Sequence, residues 1–223
     1  LRQHTGNWPG KTVVRAEGTF LHESKRYRLV DLPGTYSLLA TSPDEEVARD
    51  FLLFGRPDVT VIVIDATRLH RNLNLVLQVL EITDRVVVCL NLMDEAKRNG
   101  FTVDERRLAR DLGVPVVPTV ARSGKGMEEL LKAISEVASG ETVNRPHRIK
   151  NEPPELKNAI NTLVEQIEML YPDLPNARWV AFRLLDGDKN IANALVKGEL
   201  GTLTAVEDEQ AGHDLELDLE VVQ

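Results

Sequence analysis

The stretch VTVIVIDATRLHRNLNLVLQVLEITDRVVVCLN, residues 59–91, decides the fold class. It holds two near-continuous apolar runs rich in β-branched residues, at 59–65 and 85–91, separated by an amphipathic segment at 73–83. Continuous apolar runs of this length are typical of strands buried on both faces, as in parallel sheets. The stretch therefore predicts a strand–helix–strand unit in a parallel sheet that helices cover on both sides.

The residues upstream extend this unit. Residues 13–22 and 26–31 alternate between apolar and polar side chains, which predicts a hairpin closed by a short polar turn. A helix then begins after Ser42, because Pro43 suits the first helical position and Ser42 with Glu45 forms a capping box. One antiparallel strand of the hairpin is expected to lie at the edge of the sheet.

The residues downstream continue the alternation of strands and helices. Thr102 and Glu105 predict the start of a short helix that ends at Gly113, residues 114–119 predict a strand, and residues 126–140 predict a helix flanked by glycines. The sequence therefore predicts an α/β fold with an open, mostly parallel sheet.

A second, helical domain is predicted after a polar, proline-containing linker. We place the first domain at 1–145 and the second at 146–223, with helices at 155–171 and 177–188. The tail after Lys197 is acidic, and strand, helix and disorder are equally compatible with it.

The composition excludes some functions. The 223 residues carry a formal net charge of -8, which argues against broad, phosphate-driven binding of nucleic acid. The single cysteine, Cys89, excludes an intrachain disulfide and is expected to be a buried apolar residue. No apolar run approaches the roughly 20 residues that a membrane-spanning helix needs.

Polar turns follow three of the predicted strands. In open α/β sheets, ligands bind outside the carboxyl ends of the strands, so these turns are expected to meet at one edge. A fourth polar loop, residues 5–12, precedes the hairpin, and we expect its Trp8 to be exposed. The three turns are Asp31-Leu32-Pro33-Gly34, Asn91-Leu92-Met93-Asp94 and, after Thr119, Val120-Ala121-Arg122.

These residue types suit a guanine nucleotide with Mg²⁺. The Asp31 carboxylate can anchor a water on Mg²⁺, the Gly34 amide can approach a phosphate closely, and the Thr12 hydroxyl is a hard oxygen ligand. The Asp94 carboxylate can accept two N–H bonds from the edge of guanine, whereas adenine presents an unprotonated ring nitrogen there. Each motif alone is a common turn, but their order and their places at strand ends predict a guanine-nucleotide site.

The chain resembles the cytoplasmic G-protein region of the ferrous-iron transport protein B family of bacteria. The resemblance covers nearly the whole chain and rests on LRQHTGNWPGKTV, VDLPGTYSL, DATRLHRNLNL, NLMDEAK and ARWVAFRLLDGD. It implies a Ras-like G domain that binds GTP and GDP with Mg²⁺, followed by a helical domain of dissociation-inhibitor type. It further implies a place at the cytoplasmic face of the inner membrane, where a pore domain of the same polypeptide carries Fe²⁺ and small cytoplasmic iron-transport proteins are partners.

The resemblance also implies roles for residues, none of them catalytic. The first switch is Gly10, Lys11, Thr12, Val13 and Val14, with Thr12 on Mg²⁺ and the γ-phosphate, and Asp31 is the other metal-site residue. Asp31 to Gly34 form the phosphate-sensing turn, Asn91 to Asp94 read guanine, and Val120, Ala121 and Arg122 form the last base-contacting loop, where the family more often shows Ser-Ala.

Three departures from the family pattern modify these expectations. The sequence contains no G-x-x-x-x-G-K-[ST] loop, so we expect the native protein to continue upstream with that loop and a central strand. Leu92 replaces the usual lysine of the guanine motif, which predicts modest nucleotide affinity. Thr35 stands where Ras-type enzymes place a water-orienting glutamine, so hydrolysis should be slow, or should depend on another group or a monovalent cation.

Two other functions compete with a GTP-dependent switch. A ribosome- or tRNA-associated GTPase would share the nucleotide motifs, but its second domain should carry a basic, aromatic patch, which residues beyond 150 lack. A nucleotide-free interaction module is the other alternative, because the phosphate-binding loop is not in this sequence.

Overall fold

The computed structural model describes residues 2–8, 13–38, 42–148, 153–172, 174, 176–197 and 216–222, with backbone alone for 2–4 and 216–222. The strands are β1 (Arg2–Asn7), β2 (Val14–His22), β3 (Lys25–Asp31), β4 (Val59–Asp65), β5 (Val86–Asn91), β6 (Val116–Pro118) and β7 (Glu216–Val222). The helices are α1 (Pro43–Phe54), α2 (Leu69–Ile82), α3 (Met93–Arg98), α4 (Glu105–Leu112), α5 (Met127–Ser139), α6 (Pro154–Leu170), α7 (Ala177–Leu185) and α8 (Lys189–Lys197).

The strands form one seven-stranded sheet in the order β1-β2-β3-β7-β4-β5-β6. Strands β3, β7, β4, β5 and β6 run parallel to one another, which confirms the predicted α/β fold. Strand β2 is the expected antiparallel strand, but it does not form the edge, because residues 2–7 pair with it as the additional antiparallel partner β1. The predicted hairpin is confirmed, and its turn uses left-handed backbone at Glu23 and Ser24.

Strand β7 lies in the middle of the sheet, between β3 and β4. Its register runs from Arg26↔Glu216 to Asp31↔Val221 along β3 and from Val59↔Leu219 to Ile62↔Val222 along β4. Residues 216–222 of the acidic tail therefore form a strand, one of the three states that its sequence left open. We expected a central strand of the sheet to come from residues upstream of this sequence. Strand β7, from the C-terminal part of the chain, occupies a central position instead.

Helices cover both faces of the sheet, as the apolar runs predicted. Ile62 and Ile64 of β4 pack with α1 and α2 in one buried cluster, whereas Val59 and Val61 pack with α5 in a second cluster on the opposite face. Because successive residues of a strand point to opposite faces, a strand with a core on both sides must be apolar throughout. This requirement explains the near-continuous run at 59–65.

Trp8 belongs to the core, contrary to the prediction that it is exposed. Its side chain is 1% exposed and meets Phe51 edge to face, with the ring centroids 5.0 Å apart. The Trp8 backbone N–H donates to the Val13 carbonyl (2.9 Å), which closes the loop onto the start of β2. The loop is therefore anchored to α1 by a buried aromatic pair.

Helix boundaries follow the predicted caps with two corrections. The Ser42 hydroxyl accepts from the Glu45 N–H (3.2 Å), which confirms the predicted start of α1. Helix α4 is capped by Asp104, whose carboxylate accepts from the Arg107 N–H (2.9 Å), and not by Thr102. Helix α2 begins at Leu69, four residues before the predicted segment, and the short helix α3 was not predicted.

Helices α6, α7 and α8 form a third buried cluster of their own. The predicted helices are confirmed as α6 and α7, and α8 is an addition. Leu174 and the half-buried Trp179 pack against both this cluster and the main core, so they join the two units. Among the described residues, no helix combines the length and the apolar character needed to cross a membrane.

Candidate functional site

The predicted site residues that the structure describes lie along one edge of the sheet. Because β3, β4, β5 and β6 are parallel, the turns that follow them share one rim. Strand β5 is three positions from β3, which corresponds to about 14 Å at the usual strand spacing. Gly10, Lys11 and Thr12 lie outside the described residues, so the rim includes only Val13, half-buried, and the exposed Val14 from the predicted first switch.

The turn after β3 presents an acidic side chain above a buried anchor. Asp31 is exposed at the end of the strand, yet partial burial raises the pKa of its carboxyl group. Leu32 is 2% exposed and holds the turn on the core, whereas Gly34 is exposed at the rim. The turn therefore offers one hard carboxylate and one open backbone position at the predicted phosphate end.

Thr35 does not face the rim. Its side chain is 5% exposed, and its hydroxyl donates to the Ser37 carbonyl (2.5 Å) and accepts from the Ser37 N–H (3.2 Å). The hydroxyl is thus used inside its own turn. In this conformation Thr35 is a structural residue, because it has no free group to direct at a water molecule.

Helix α2 holds the segment after this turn. The Gln78 side-chain oxygen accepts from the Leu38 N–H (2.6 Å) and from the Ser37 hydroxyl (3.4 Å). The Arg71 guanidinium lies 3.8 Å from the centre of the Tyr36 ring. Sequence reasoning missed Gln78 and Arg71, because no local pattern links two segments about 40 residues apart.

Asn91 joins two of the predicted turns. Its side-chain oxygen accepts from the Ala121 N–H (3.1 Å) and from the Thr119 hydroxyl (3.3 Å). Thr119 is 1% exposed and also contacts the Cys89 thiol (3.2 Å), so a buried polar chain runs from β5 to the last loop. The sequence predicts Thr119 only as the end of a strand, and no local pattern indicates its supporting role.

Leu92 adopts a left-handed backbone conformation between Asn91 and α3. Its φ and ψ are 62° and 31°, which is uncommon for a residue other than glycine and costs about 1 kcal/mol. Strain of this kind persists only where the surroundings fix it, and it is frequent at ligand sites. Here it turns the chain sharply from β5 into α3 and puts Asp94 in the first helical turn.

The Asp94 carboxylate is half-buried and faces two arginines. One oxygen, Oδ2, lies 3.5 Å from Nη2 of Arg98 and 3.6 Å from Nη2 of Arg122. Arg98 lies one turn along the same helix, whereas Arg122 comes from the loop after β6. The structure therefore brings together Asp94 and the last loop, as predicted.

Two cavities flank the segment 91–94. One, of about 290 Å³, is lined by Tyr36, Asp65, Arg68, Arg71, Asn91 and Leu92. The other, of about 670 Å³, has Met93, Asp94, Val120, Arg122 and Lys125 among its lining residues. Asp65 uses its carboxylate locally, because it accepts from both the N–H (2.7 Å) and the hydroxyl (2.6 Å) of Thr67. The larger cavity thus takes in four of the residues predicted to read a base, whereas Asn91 and Leu92 line the smaller one.

The rim fits Mg²⁺ only as part of a nucleotide complex. Within the described part of the chain, no group of three or more His, Cys, Asp and Glu side chains gathers to hold a metal ion. Mg²⁺ in nucleotide sites keeps several waters and takes one or two protein oxygens together with phosphates. Asp31 is a donor of the right type, and Thr12 would be the second.

Two family patterns match the chain. The one described as "Ferrous iron transport protein B" matches residues 1–134, and the one described as "FeoB cytosolic helical domain" matches residues 153–221. A Fe(2+) transport protein A/Fe(2+) transporter FeoB fusion protein of Porphyromonas gingivalis is 40% identical over 193 residues, which are 85% of this chain and 23% of the relative. The chain thus spans about a quarter of the length of this curated relative.

Solved structures of the same kind match the fold. The cytosolic domain of L. pneumophila FeoB superposes with a TM-score of 0.77 at 32% identity, covering 92% of this chain and 80% of that one. The cytosolic domain of the T. maritima FeoB iron transporter in a GDP form superposes with a TM-score of 0.75 at 33% identity, covering 91% and 81%.

Proposed function

Because the chain belongs to the ferrous iron transport protein B family, we propose that it binds GTP and GDP at the rim and switches between the two states. Its G domain is followed by the family's cytosolic helical domain, and the T. maritima relative is described in a GDP form. The observation that carries the proposal is the Asn91 bridge, which places Asp94 and the last loop around one cavity.

Different residues of the rim bind the base and the phosphates of the nucleotide. Asp94 accepts the N1–H and N2–H of guanine, while the backbone of Val120, Ala121 and Arg122 borders the base. Met93 lines the same cavity and supplies apolar cover, while Leu92 lines the smaller cavity beside it. The two N–H bonds to Asp94 are the contacts that distinguish guanine from adenine.

The phosphates lie toward the β3 end of the same rim. Gly34 and the first switch, Gly10 to Val14, approach them, and Thr12 and Asp31 hold Mg²⁺ directly or through water. A bound Mg²⁺ neutralises the phosphate charge and fixes the phosphate geometry. The exposed Asp31 carboxylate supports this role, because a hard oxygen is available at the edge of the sheet.

We expect hydrolysis to be slow. The buried Thr35 hydroxyl is engaged with Ser37, so this residue cannot orient an attacking water as glutamine does in Ras-type enzymes. Turnover then needs another group or a monovalent cation near the phosphates.

In the whole transporter, the switch would gate the uptake of Fe²⁺. The helical domain contacts the G domain through Leu174 and Trp179, which gives the nucleotide state a route toward a pore domain of the same polypeptide at the cytoplasmic face of the inner membrane. The P. gingivalis relative is a fusion with Fe(2+) transport protein A, so a small protein of that kind is the expected cytoplasmic partner.

Exchange of the base-reading carboxylate tests the proposal. Asp94→Asn should weaken GDP binding by about 100-fold or more, because its amide cannot accept two N–H bonds. The same variant should gain affinity for xanthosine diphosphate, whose C2 carbonyl can accept from the new amide. Calorimetry with GDP, ADP and xanthosine diphosphate measures both effects.

The control is Asp111→Asn, which removes an exposed aspartate of α4 and should leave all three affinities unchanged. Equal affinity of the wild type for ADP and GDP, or an unaltered profile in Asp94→Asn, would refute the guanine site. No heat with any nucleotide would favour an interaction module.

A further inference from the structure

We propose that Arg122 is an internal competitor of guanine: without nucleotide its guanidinium occupies the Asp94 carboxylate, and it must leave before the base can bind. This inference rests on the proposed guanine site. It adds a residue that sets nucleotide affinity by occupying the base reader, beyond its expected place in the last base-contacting loop.

The positions of the two side chains carry the inference. Nη2 of Arg122 lies 3.6 Å from Oδ2 of Asp94, and both residues line the cavity of about 670 Å³. Asp94 lies in the first turn of α3 and Arg122 in the loop after β6, so the arginine reaches across the space that a base would fill. Arg98 lies equally close to the same oxygen, but it comes from the same helix, also faces Glu95 (3.5 Å) and is not among the residues that line the cavity.

The chemistry explains why these two groups exclude each other. Guanine offers a carboxylate two adjacent N–H donors in one plane, from N1 and from the C2 amino group. A guanidinium offers the same planar pair of donors and adds a positive charge. A carboxylate placed to accept from one is therefore placed to accept from the other.

The loop can exchange its side chain without rearranging its backbone. The Ala121 N–H is fixed on Asn91 (3.1 Å), the Ser123 N–H donates to the Val120 carbonyl (3.0 Å), and Gly124 ends the turn in a left-handed conformation. The Arg122 side chain is 81% exposed, so it can swing into solvent at little cost. Binding of a base then replaces one partner of Asp94 by another.

The size of the effect follows from this exposure. Solvent-exposed ion pairs contribute about 0.2–1 kcal/mol, so the competition should weaken guanine binding by about 1.5- to 5-fold. The effect should shrink as salt screens the pair.

The test compares Arg122→Ala with Arg98→Ala, a matched variant that removes the same charge from the same carboxylate oxygen. Calorimetry with GDP on the full chain at low salt should show tighter binding in Arg122→Ala, by about 1.5- to 5-fold, and no comparable gain in Arg98→Ala. In 1 M salt the gain should disappear. Unchanged or weaker binding in Arg122→Ala would overturn the inference and assign Arg122 to covering the base or attracting phosphate.

A second measurement addresses the pair itself without nucleotide. The carboxyl ¹³C resonance of Asp94 should shift in Arg122→Ala, and added methylguanidinium should return it toward the wild-type position. A resonance that does not move rejects the pairing. The failure of each proposal can be told apart. If the wild type binds GDP and Arg122→Ala shows no gain in GDP affinity, only the competition is overturned. If no variant binds GDP, both the guanine site and the competition are overturned.

Discussion

Asp31, Asn91 and Asp94 are polar residues placed directly after buried strands, and that placement made them predictable from sequence. The residues that support them were not predictable in the same way. Thr119 reaches Asn91 across 28 positions of the chain, and Gln78 reaches Leu38 across 40. At the residue scale, the groups that face a ligand leave a local signal, while the groups that hold them in place depend on tertiary contacts.

Asp31 is expected to cost the chain stability. Burial raises the pKa of its carboxyl in the folded state, so its charged form is less favourable there than in the unfolded chain. The penalty is absent below the ordinary pKa of about 3.9 and is complete above the raised value. Asp31→Asn should therefore raise the urea midpoint at pH 7, and the gain should vanish as the pH falls toward 3.9.

Asp44→Asn is a suitable comparison for this measurement. Asp44 lies in the first turn of α1, where its negative charge favours the helix by about 0.3–1 kcal/mol. That variant should lose stability at pH 7. If Asp31→Asn also loses stability at pH 7, the carboxylate is not penalised in the fold.

At the scale of elements, the caps and strands followed the sequence closely where the signal was local. The run at 59–65 forms β4 without a shift, and Ser42 caps α1 as predicted. The strand predicted at 114–119 is confirmed as β6, although only three of its residues pair. The short helix α3 was missed, because it depends on the left-handed Leu92 and has no periodic pattern long enough to detect.

Two glycines near the last loop should respond very differently to alanine. A Cβ at Gly126, where φ is +81°, would lie 2.2 Å from the Pro118 carbonyl oxygen at the end of β6, whereas a Cβ at Gly124, where φ is +75°, meets nothing within 4 Å. Gly124→Ala should cost about 1–2 kcal/mol for the left-handed backbone alone. Gly126→Ala should cost about 1–3 kcal/mol more, because the clash adds overpacking.

Thermal or urea unfolding of both variants measures the difference. Gly126→Ala should also weaken GDP binding, since α5 can escape the clash only by moving the segment 120–125. Equal destabilisation of the two variants would contradict the close approach of α5 to β6.

At the scale of the whole molecule, the parallel sheet and the helical domain were predictable, and the position of β7 was not. Hydrophobic periodicity identifies strands but does not determine which strands pair. Strand β7 pairs with strands more than 150 residues away in sequence. Its alternating acidic and apolar residues are also more typical of a strand near solvent than of a central one. Long-range pairing of this kind is the part of a topology that a single sequence specifies least.

A proline in β7 tests its central position. Leu219→Pro removes a backbone N–H from a strand with partners on both sides, so it should destabilise the chain by about 3 kcal/mol. The matched variant Gln3→Pro, in the edge strand β1, should cost clearly less, because prolines are tolerated at sheet edges. Urea unfolding compares them, and wild-type stability in Leu219→Pro would show that β7 does not pair in the sheet.

The two tryptophans of the chain occupy different surroundings, which gives the molecule two built-in optical probes. Trp8 is buried beside Phe51 and under the Arg15 guanidinium, so its fluorescence emission maximum should be at short wavelength and soluble quenchers should not reduce it. Trp179 is half-buried where the helical unit meets the G domain, so its emission maximum should shift to longer wavelength when that contact loosens. The intrinsic fluorescence of one unlabelled sample thus separates movement between the two units from conformational changes within the G domain.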